Sequence, residues 1–424
     1  MSSLLEKMGQ AAKASANVLR KMSTAQKNAA LCAMAAALLA EESAILAANE
    51  EDLLSAREMG LSAALLERLK LNAQRVAAMA DSIQQITQLP DPIGYVEEMF
   101  VSQDGLQIGK QRVPIGVIGI IYESRPNVTA DAAALCFKSG NAVILRGGKE
   151  ALQSNQAIWH ALQRGLKATN VPQETIQLIT DPNRALVTEL LQMNNYIDCL
   201  IPRGGASLIQ RVVKEATVPV IETGVGNCHL YVDCAADLTM ATRILINGKV
   251  DRPAVCNALE NLIVHEAVAA EFLKVAGAEL EKYGVTIKGD APTCALLPKA
   301  IPATAADYDT EFLDLTLAVK VVADYQAAIE HIQKHSTGHS EVIVTNDYQT
   351  AQAFLADIDA AAVYVNASSR FTDGERFGLG GEIGISTQKL HARGPMGLKE
   401  LTSYKYIILG NGQIRGTTGA DFSK

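Results

Sequence analysis

The sequence predicts an α/β protein with parallel sheets in at least two domains. From Val113 onward, strand-like and helix-like segments alternate, which is typical of parallel strands joined by crossover helices. The 424 residues amount to two or three domains of usual size, with ample apolar side chains for a core. The chain has no low-complexity tract or long linker, so we expect its domains to exchange strands rather than to hang on a flexible tether.

The first part of the chain is predicted to be helical. Residues 2–88 are rich in Ala, Leu, Glu, Lys and Gln, and their apolar residues recur at helical spacing. Ser23 and Gln26 have the spacing of a capping box, which indicates that a helix begins there. Gly60 marks another helix boundary.

Two later segments predict a β-arm. Residues 96–112 mix polar and β-forming residues around Asp104-Gly105, a pair that favours a hairpin turn. The tail near residues 404–409 is also β-forming. Because edge strands tend to be covered, we expect these segments to mediate self-association, and the sequence leaves dimer and tetramer both open.

The alternating part of the chain gives a series of predicted elements. A β-run from Val113 to Tyr122 precedes a helix from Thr129 to Ser139, which Gly140 closes. Further strands are predicted at residues 141–145, 176–179, 197–201 and 218–221.

Composition limits the class of partner. The net charge of −8 and the absence of a block of like charges argue against binding to nucleic acid or to an anionic membrane, and favour a small molecule. The seven cysteines form an odd set without framework spacing, as is typical of a reducing compartment. The N-terminus lacks the pattern of a signal peptide, and residues 29–40 are too short to span a bilayer. We expect a soluble, cytoplasmic protein.

Cys256 is the candidate nucleophile. It follows a Pro-containing turn and precedes an apolar pattern that predicts a helix over residues 258–263, so its thiol would lie near a helix N-terminus that favours the thiolate. A buried, unreactive cysteine is the alternative, and spacing alone leaves both open. The companions that favour a nucleophile are Asn127, Arg146, Lys149 and the Gly-rich tail around Gly378.

Two glycine pairs are candidates for phosphate binding. Gly147-Gly148 and Gly204-Gly205 each open a predicted strand-to-helix turn, although the usual Gly-x-Gly-x-x-Gly fingerprint is absent. Adjacent glycines often mark ordinary tight turns. The neighbouring Arg146, Lys149 and Arg203 suit a phosphorylated ligand, with a solvated basic rim as the alternative.

No metal site is predicted. Cys228, His229 and Cys234 lie close in sequence, but their segment has the alternation of a strand and the spacing matches no standard site. His331 and His335 are four residues apart on a predicted helix, where a solvated face is the simpler interpretation.

Seven segments match one known pattern in the same order along nearly the whole chain. They are residues 114–119, 123–129, 140–149, 252–257, 364–374, 378–380 and 387–397. On these motifs the chain resembles the γ-glutamyl phosphate reductases, a branch of the aldehyde dehydrogenase superfamily. The resemblance implies two Rossmann-like parallel α/β domains and a β-arm for oligomerisation. The cofactor-binding domain would comprise residues 1–95 and 113–226, the catalytic domain 227–397, and the arm 96–112 and 398–418.

The resemblance also implies an activity, the NADPH-dependent reduction of L-glutamyl 5-phosphate to L-glutamate 5-semialdehyde in proline biosynthesis. Cys256 would attack the acyl phosphate, expel phosphate and form a thioester, which NADPH would reduce. Asn127 and the backbone N–H of Cys256 would stabilise the oxyanion. Arg125 and Arg393 would bind anionic groups of the substrate, without an assignment of which anion each meets.

The predicted cofactor is NADP. Many NAD-using aldehyde dehydrogenases carry a Glu three residues after a Lys at the end of this strand, where this chain has Arg146 and then Lys149. A carboxylate there would repel a 2′-phosphate and a cation would attract it. By the same resemblance, Gly204 and Gly205 would face the pyrophosphate and Glu311 would hold the nicotinamide ribose.

Two alternatives to this activity stay open. Glu222 lies in a strand-end motif like that of the general base of hydrolytic aldehyde dehydrogenases, and as an active base it would make the chain an ordinary NAD(P)-dependent aldehyde dehydrogenase. A catalytically dead homologue that only binds or assembles is the second alternative. The retained Cys256 and Asn127 argue against it.

Two further points follow from the matched motifs. Asp251 and Ala254 differ from the commonest family pattern, which puts turn geometry and charge near the thiol in doubt. No stretch of the chain is left for a kinase domain, so a separate glutamate 5-kinase is a candidate for transient contact.

Overall fold

The structure is a computed structural model that describes residues 3–415, without the side chains of residues 3, 63 and 64. Residues 416–418, the end of the predicted arm, lie outside the described residues. The α-helices in the described range are α1 (Ser3–Leu19), α2 (Thr24–Ala40), α3 (Glu42–Glu58), α4 (Ala63–Leu69), α5 (Ala73–Gln88), α6 (Asn127–Lys138), α7 (Leu152–Ala168), α8 (Arg184–Leu190), α9 (Ala206–Glu215), α10 (Leu238–Val250), α11 (Glu266–Lys282), α12 (Ala291–Leu296), α13 (Tyr325–His335) and α14 (Tyr348–Asp357).

The strands alternate with these helices after residue 116. They are β1 (Val96–Val101), β2 (Gln107–Pro114), β3 (Val117–Tyr122), β4 (Ala142–Arg146), β5 (Ile176–Leu178), β6 (Cys199–Arg203), β7 (Cys228–Val232), β8 (Leu259–His265), β9 (Thr286–Gly289), β10 (Ile301–Pro302), β11 (Thr316–Val322), β12 (Ser340–Val344), β13 (Ala362–Val365), β14 (Ile385–Ser386), β15 (Gly394–Pro395) and β16 (Thr402–Leu409).

Two parallel sheets form the framework, which confirms the predicted α/β class. The smaller sheet has the strand order β5-β4-β3-β6, and the larger one has the order β10-β9-β11-β8-β7-β12-β13. Neighbouring strands in both are parallel. Strands β3 and β4 are buried along their whole length, as expected of parallel strands covered by helices on both faces.

The N-terminal helices share a core with the smaller sheet. Helix α2 packs against α5 and α7, and its Leu31 and Met34 lie in one apolar cluster with Ile118 of β3. The predicted capping box of Ser23 and Gln26 is present at the start of α2. Among the described helices none alone is long and apolar enough to cross a membrane, and α2 with α3 reaches that length only as a pair bent by 65°.

A three-stranded antiparallel sheet, with the order β1-β2-β16, is separate from the two parallel ones. Strands β1 and β2 form the predicted hairpin, in which Gly105 has a φ of +78°. Strand β16 pairs with the other edge of β2 over its whole length. The sheet therefore joins the two sequence segments that predicted the β-arm.

Strand order places a topological switch between β3 and β6. The chain runs from β3 to β4 and β5 on one side and returns to β6 on the other side of β3. Loops at the carboxyl ends of these strands hold residues 123–127, 147–151 and 204–205. Ligands of open α/β sheets bind in this crevice, so the fold gathers the predicted site residues Arg125, Asn127, Lys149, Gly204 and Gly205 there.

Three predictions about local structure were wrong. Residues 259–263 belong to strand β8 rather than to a helix. Strand β8 is a central strand buried on both faces, and a short apolar run does not by itself distinguish strand from helix. Residues 218–221 form only one bridge, between Leu200 and Val220. His331 and His335 are 4% and 8% exposed, because α13 packs this face against the larger sheet.

Candidate active site

Cys256 lies in the loop between α10 and β8, half-buried, at the wall of a cavity of about 250 Å³. The cavity is lined by the ends of elements from both parallel sheets, so it lies where the two halves of the chain meet. The charged or nucleophilic side chains that line it are Arg68, Arg125, Arg203, Arg252, Cys256, Glu311, Arg370, Asp373 and Glu382.

Backbone contacts fix the loop that carries the thiol. The Cys228 thiol donates to the carbonyl of Cys256 over 3.2 Å. The Arg68 guanidinium, from helix α4, donates to the carbonyl of Ala254 over 2.7 Å. The side chain of Asp251 pairs with Arg370 over 3.2 Å, so the unusual charge before the Pro-containing turn is neutralised locally.

The environment of the thiol differs from the predicted helix N-terminus. Burial raises the pKa of Cys256 to about 11, and the charges of Glu382 and Glu311 act in the same direction. Arg203 and Arg125 act in the opposite direction and lower this pKa. Since strand β8 and not a helix follows the cysteine, the only charges that favour the thiolate among these are those of Arg203 and Arg125, and burial outweighs them.

Glu382 was not among the predicted site residues. Its side chain accepts a hydrogen bond from the backbone N–H of Gly374 over 2.9 Å. Burial raises the pKa of Glu382 to about 7, although Arg203 and Arg125 lower it. The sequence signal for Glu382 is its position four residues after Gly378, in the Gly-rich tail.

Asn127 begins helix α6 and lines an adjoining cavity of about 440 Å³, which shares Arg125 and Arg203 with the cavity at Cys256. Its side-chain amide donates to Asp131 over 2.9 Å. Within the described residues, the backbone N–H of Cys256 has no hydrogen-bond acceptor. That N–H is therefore available to an oxyanion, whereas the Asn127 amide already has a partner.

The two predicted substrate arginines lie in different places. Arg125 lines both cavities. Arg393 forms an ion pair with Asp359 over 2.7 Å, next to the ion pair of Lys389 with the same carboxylate. The structure brings Arg125 to Cys256 and leaves Arg393 outside the residues that line either cavity.

Two of the residues predicted to bind the cofactor, Arg146 and Lys149, line a third cavity, of about 570 Å³, at the carboxyl end of β4. Arg146 is buried there, and its guanidinium donates to the carbonyls of Gly147 and Pro182. Its Nε has no hydrogen-bond partner in the described structure, and burial lowers the pKa of Arg146. Lys149 is exposed at the rim. The further cationic lining residues are Arg184 and Arg211.

The second glycine pair faces the thiol. Gly204 and Gly205 line the cavity at Cys256, and the N–H of Gly205 donates to Glu123 over 2.9 Å. Glu311 lines the same cavity and accepts from the N–H of Gly226 over 2.8 Å. The two glycine pairs therefore belong to neighbouring cavities at the same sheet edge.

Glu222 is held by Gln388. The Gln388 amide donates to Glu222 over 2.8 Å, and the backbone N–H of Glu222 donates to the same side chain over 2.9 Å. The neighbouring Thr223 and Gly224 line the cavity at Cys256, and Glu222 is outside its lining. No group of three or more His, Cys, Asp or Glu side chains in residues 3–415 is arranged to hold a metal ion.

Comparisons with known proteins agree with this architecture. Residues 2–298 match the model of the aldehyde dehydrogenase family. Gamma-glutamyl phosphate reductases from Moorella thermoacetica and Lactiplantibacillus plantarum are 58% and 56% identical to the chain, over 96% and 97% of it and 97% and 99% of their own lengths.

Solved structures show the same relationship. The crystal structure of gamma-glutamyl phosphate reductase from Thermotoga maritima is 49% identical, with a TM-score of 0.94 over 98% of this chain and 100% of that one. An acetylating aldehyde dehydrogenase from Geobacillus thermoglucosidasius, 18% identical with a TM-score of 0.72 over 98% of each chain, shares the fold. The predicted aldehyde dehydrogenase-like fold is confirmed, and the chain belongs to the aldehyde dehydrogenase family and, within it, to the γ-glutamyl phosphate reductases.

Proposed function

We propose that the chain reduces L-glutamyl 5-phosphate to L-glutamate 5-semialdehyde, with NADPH as reductant and release of phosphate, in proline biosynthesis. The observation that carries the proposal is the cysteine of the matched motif, Cys256, at the wall of a cavity lined by several arginines. A thiol can attack an acyl phosphate, and guanidinium groups suit its anionic ends. The gamma-glutamyl phosphate reductases at up to 58% identity support the same substrate.

The first step forms a thioester on Cys256. The sulfur bonds to the carbonyl carbon, the bond from that carbon to the phosphate oxygen breaks, and the thiol proton ends on the released phosphate. Because the pKa of Cys256 is about 11 in the free protein, the thiol form dominates at neutral pH and must lose its proton during the attack. The unengaged N–H of Cys256 is the donor best placed for the oxyanion.

The second step needs a hydride, which a reduced nicotinamide cofactor supplies when bound. The orphaned Nε of buried Arg146 and the cationic rim of the third cavity fit a phosphorylated nucleotide. We assign Arg146 and Lys149 to the 2′-phosphate side of NADP, Gly204 and Gly205 to the pyrophosphate, and Glu311 to the nicotinamide ribose. Collapse of the tetrahedral species on Cys256 then releases the aldehyde and frees the thiol.

Glu222 has a structural part in this proposal. Its carboxylate is engaged by Gln388, and an acyl phosphate needs no activated water because phosphate is the leaving group. The hydrolytic alternative would need this carboxylate to release Gln388 and to reach the thioester. The dead-homologue alternative is disfavoured because the thiol, the cationic lining and the nucleotide-sized cavity are all present.

We also propose that the three-stranded sheet mediates oligomerisation. Its strands β1 and β16 expose Phe100, Val101, Tyr406 and Ile408, each by about half or more. Large apolar side chains on strands at a sheet edge are typical of a surface that another chain covers. Deleting the hairpin tip, residues 102–106, or charging Tyr406 should shift the mass measured by light scattering to that of a smaller species.

We also propose a cytoplasmic location and a transient contact with the kinase that makes the substrate. All seven cysteines are free thiols in the structure, as suits the cytoplasm. The lability of an acyl phosphate favours transient contact with the glutamate 5-kinase that makes it. Failure of the two purified enzymes to crosslink during turnover would overturn that contact.

The reverse reaction tests the activity. Purified protein with glutamate 5-semialdehyde and NADP should produce NADPH only when inorganic phosphate is present, and Cys256→Ala should abolish the rate. Cys32→Ala, which removes an exposed thiol on α2, is the matched control and should retain it. Phosphate-independent turnover that Glu222→Gln abolishes would identify a hydrolytic aldehyde dehydrogenase. A complete lack of turnover with all components would favour the dead homologue.

A further inference from the structure

Arg125 and Arg203 are two neighbouring cations that form no ion pair within the described residues. Both are partly buried and line the cavity at Cys256 as well as the adjoining one. In the described part of the chain neither guanidinium has a hydrogen bond or an ion pair. Each of the other arginines at the thiol either has a partner or is exposed, so this pair is distinct among them.

The two charges repel each other. Burial and the charge of Arg203 together lower the pKa of Arg125 to about 10. The carboxylates of Glu382 and Asp373 line the same two cavities but form no ion pair with either arginine within the described residues. A dianion bound between the two guanidiniums would offset their mutual repulsion, so the pair is suited to bind one.

Local packing holds Arg203 in this position. A Cβ built on Gly384 would lie 2.9 Å from both Cδ and Nη1 of Arg203, so the side chain runs directly over the backbone of that glycine. The arginine itself ends strand β6 at the topological switch. Its placement therefore comes from a strand end and a close backbone contact rather than from a salt bridge.

We propose that Arg125 and Arg203 together bind the phosphoryl group of the acyl phosphate, beside Cys256. The inference rests on the proposed function. It identifies the anionic group of the substrate that Arg125 binds, which the sequence left unassigned. Both arginines act electrostatically on the Cys256 thiol, so they lie near the carbon that it attacks. The phosphoryl group joins that carbon through one oxygen, whereas the α-carboxylate lies at the other end of the glutamyl chain.

The same pair would stabilise the leaving group. As the carbon–oxygen bond breaks, its electron pair moves onto the phosphate oxygen, which then takes up the proton released by the thiol. Two guanidiniums at this oxygen stabilise the developing charge before protonation is complete. In the reverse direction they would hold inorganic phosphate for attack on the thioester.

The test measures the reverse reaction at varied phosphate concentration. Arg125→Gln and Arg203→Gln should each raise KM for phosphate by about tenfold or more, the range expected for a lost charge-assisted hydrogen bond, while KM for NADP and for the aldehyde stays within about threefold. Arg203→Lys should recover part of the loss. Arg252→Gln, at an exposed arginine of the same cavity, should change KM for phosphate less than either variant.

A second readout does not need turnover. Sulfate or phosphate should protect Cys256 of the wild-type chain from iodoacetamide, and the protecting concentration should rise by about tenfold in Arg203→Gln. A rise in KM for NADP with an unchanged KM for phosphate would assign the pair to the cofactor and overturn the proposal. Anion protection without phosphate-dependent turnover would keep the anion site and reject the proposed activity, so the two failures are distinguishable.

Discussion

The backbone of Gly226 lies directly against the carbonyl of Cys256. A Cβ built on this glycine would be 1.5 Å from the carbonyl oxygen of Cys256 and 2.7 Å from its Cα, closer than any real Cβ contact. Gly226 also donates its N–H to Glu311. One backbone position therefore sets the distance between the thiol loop and the residue proposed to hold the nicotinamide ribose.

Gly226→Ala should displace the thiol loop and lower kcat by about a hundredfold, since a shift near 1 Å at a reacting atom has an effect of that order. The protein should remain folded by circular dichroism. Gly381→Ala is the control, because a Cβ there would meet nothing within 4 Å. Equal rates for Gly226→Ala and the wild type would show that the loop tolerates the added methyl group.

Removing a positive charge and removing a negative charge near the thiol should change the alkylation rate of Cys256 in opposite directions. Arg203→Gln removes a positive charge, raises the pKa of Cys256 further and should slow its alkylation at pH 8. Glu382→Gln removes a negative charge, lowers that pKa and should accelerate it. Iodoacetamide kinetics with mass spectrometry of the Cys256 peptide measure both. Changes of the same sign would mean that the variants act through packing rather than through charge.

Anion binding should weaken as pH rises through about 7. The pKa of Glu382 lies near that value, so its carboxylate becomes charged over this range and repels a dianion bound at Arg125 and Arg203. The other groups facing Glu382 are Asp373, the Gly374 N–H and the Cys256 thiol, whose pKa of about 11 keeps it neutral there.

Sulfate is the suitable probe because it stays a dianion across this pH range, unlike phosphate. Calorimetric titration between pH 6 and 8 should show the sulfate dissociation constant rising several-fold in the wild type, because the charged carboxylate repels the dianion. The constant should be nearly flat in Glu382→Gln. An equal pH dependence in the variant would assign the titration to another group.

Cofactor preference should depend on Lys149. Lys149→Glu places a carboxylate at the rim of the third cavity, where it would repel a 2′-phosphate, so the ratio of kcat/KM for NADP to that for NAD should fall by about tenfold or more. Lys167→Glu makes the same charge change on the exposed end of α7 and should leave the ratio unaltered. An unchanged ratio in Lys149→Glu would remove this residue from the cofactor site.

The two residues of a buried ion pair near Glu311 should have non-additive effects on the free energy of unfolding. Lys249 and Glu260 approach to 2.6 Å with both side chains fully buried, and Glu260 also accepts from the Leu313 N–H. Lys249→Met leaves Glu260 buried without its cation and should cost about 3–5 kcal/mol of unfolding free energy. Lys249→Met with Glu260→Gln should recover much of this loss in urea unfolding. Additive losses would show that the pair is not coupled.

The local pattern of the chain determined most of its secondary structure. The capping box at Ser23, the hairpin at Asp104-Gly105 and the alternation after Val113 depend on neighbours within a few residues, and the structure contains all three features. The matched motifs likewise marked Cys256 and Arg125, which the fold brings to one cavity. These features can be predicted from the sequence because they depend on neighbouring residues and short motifs rather than on distant contacts.

Only the tertiary structure decided the rest. The apolar run after Cys256 became a strand because a central position in the larger sheet buries both of its faces. Arg203 and Glu382 are 179 residues apart in number (382 minus 203) and meet at the thiol because a strand end and a Gly-rich tail converge there. Electrostatic fields depend on distance in space, so sequence spacing did not reveal which charges act on Cys256.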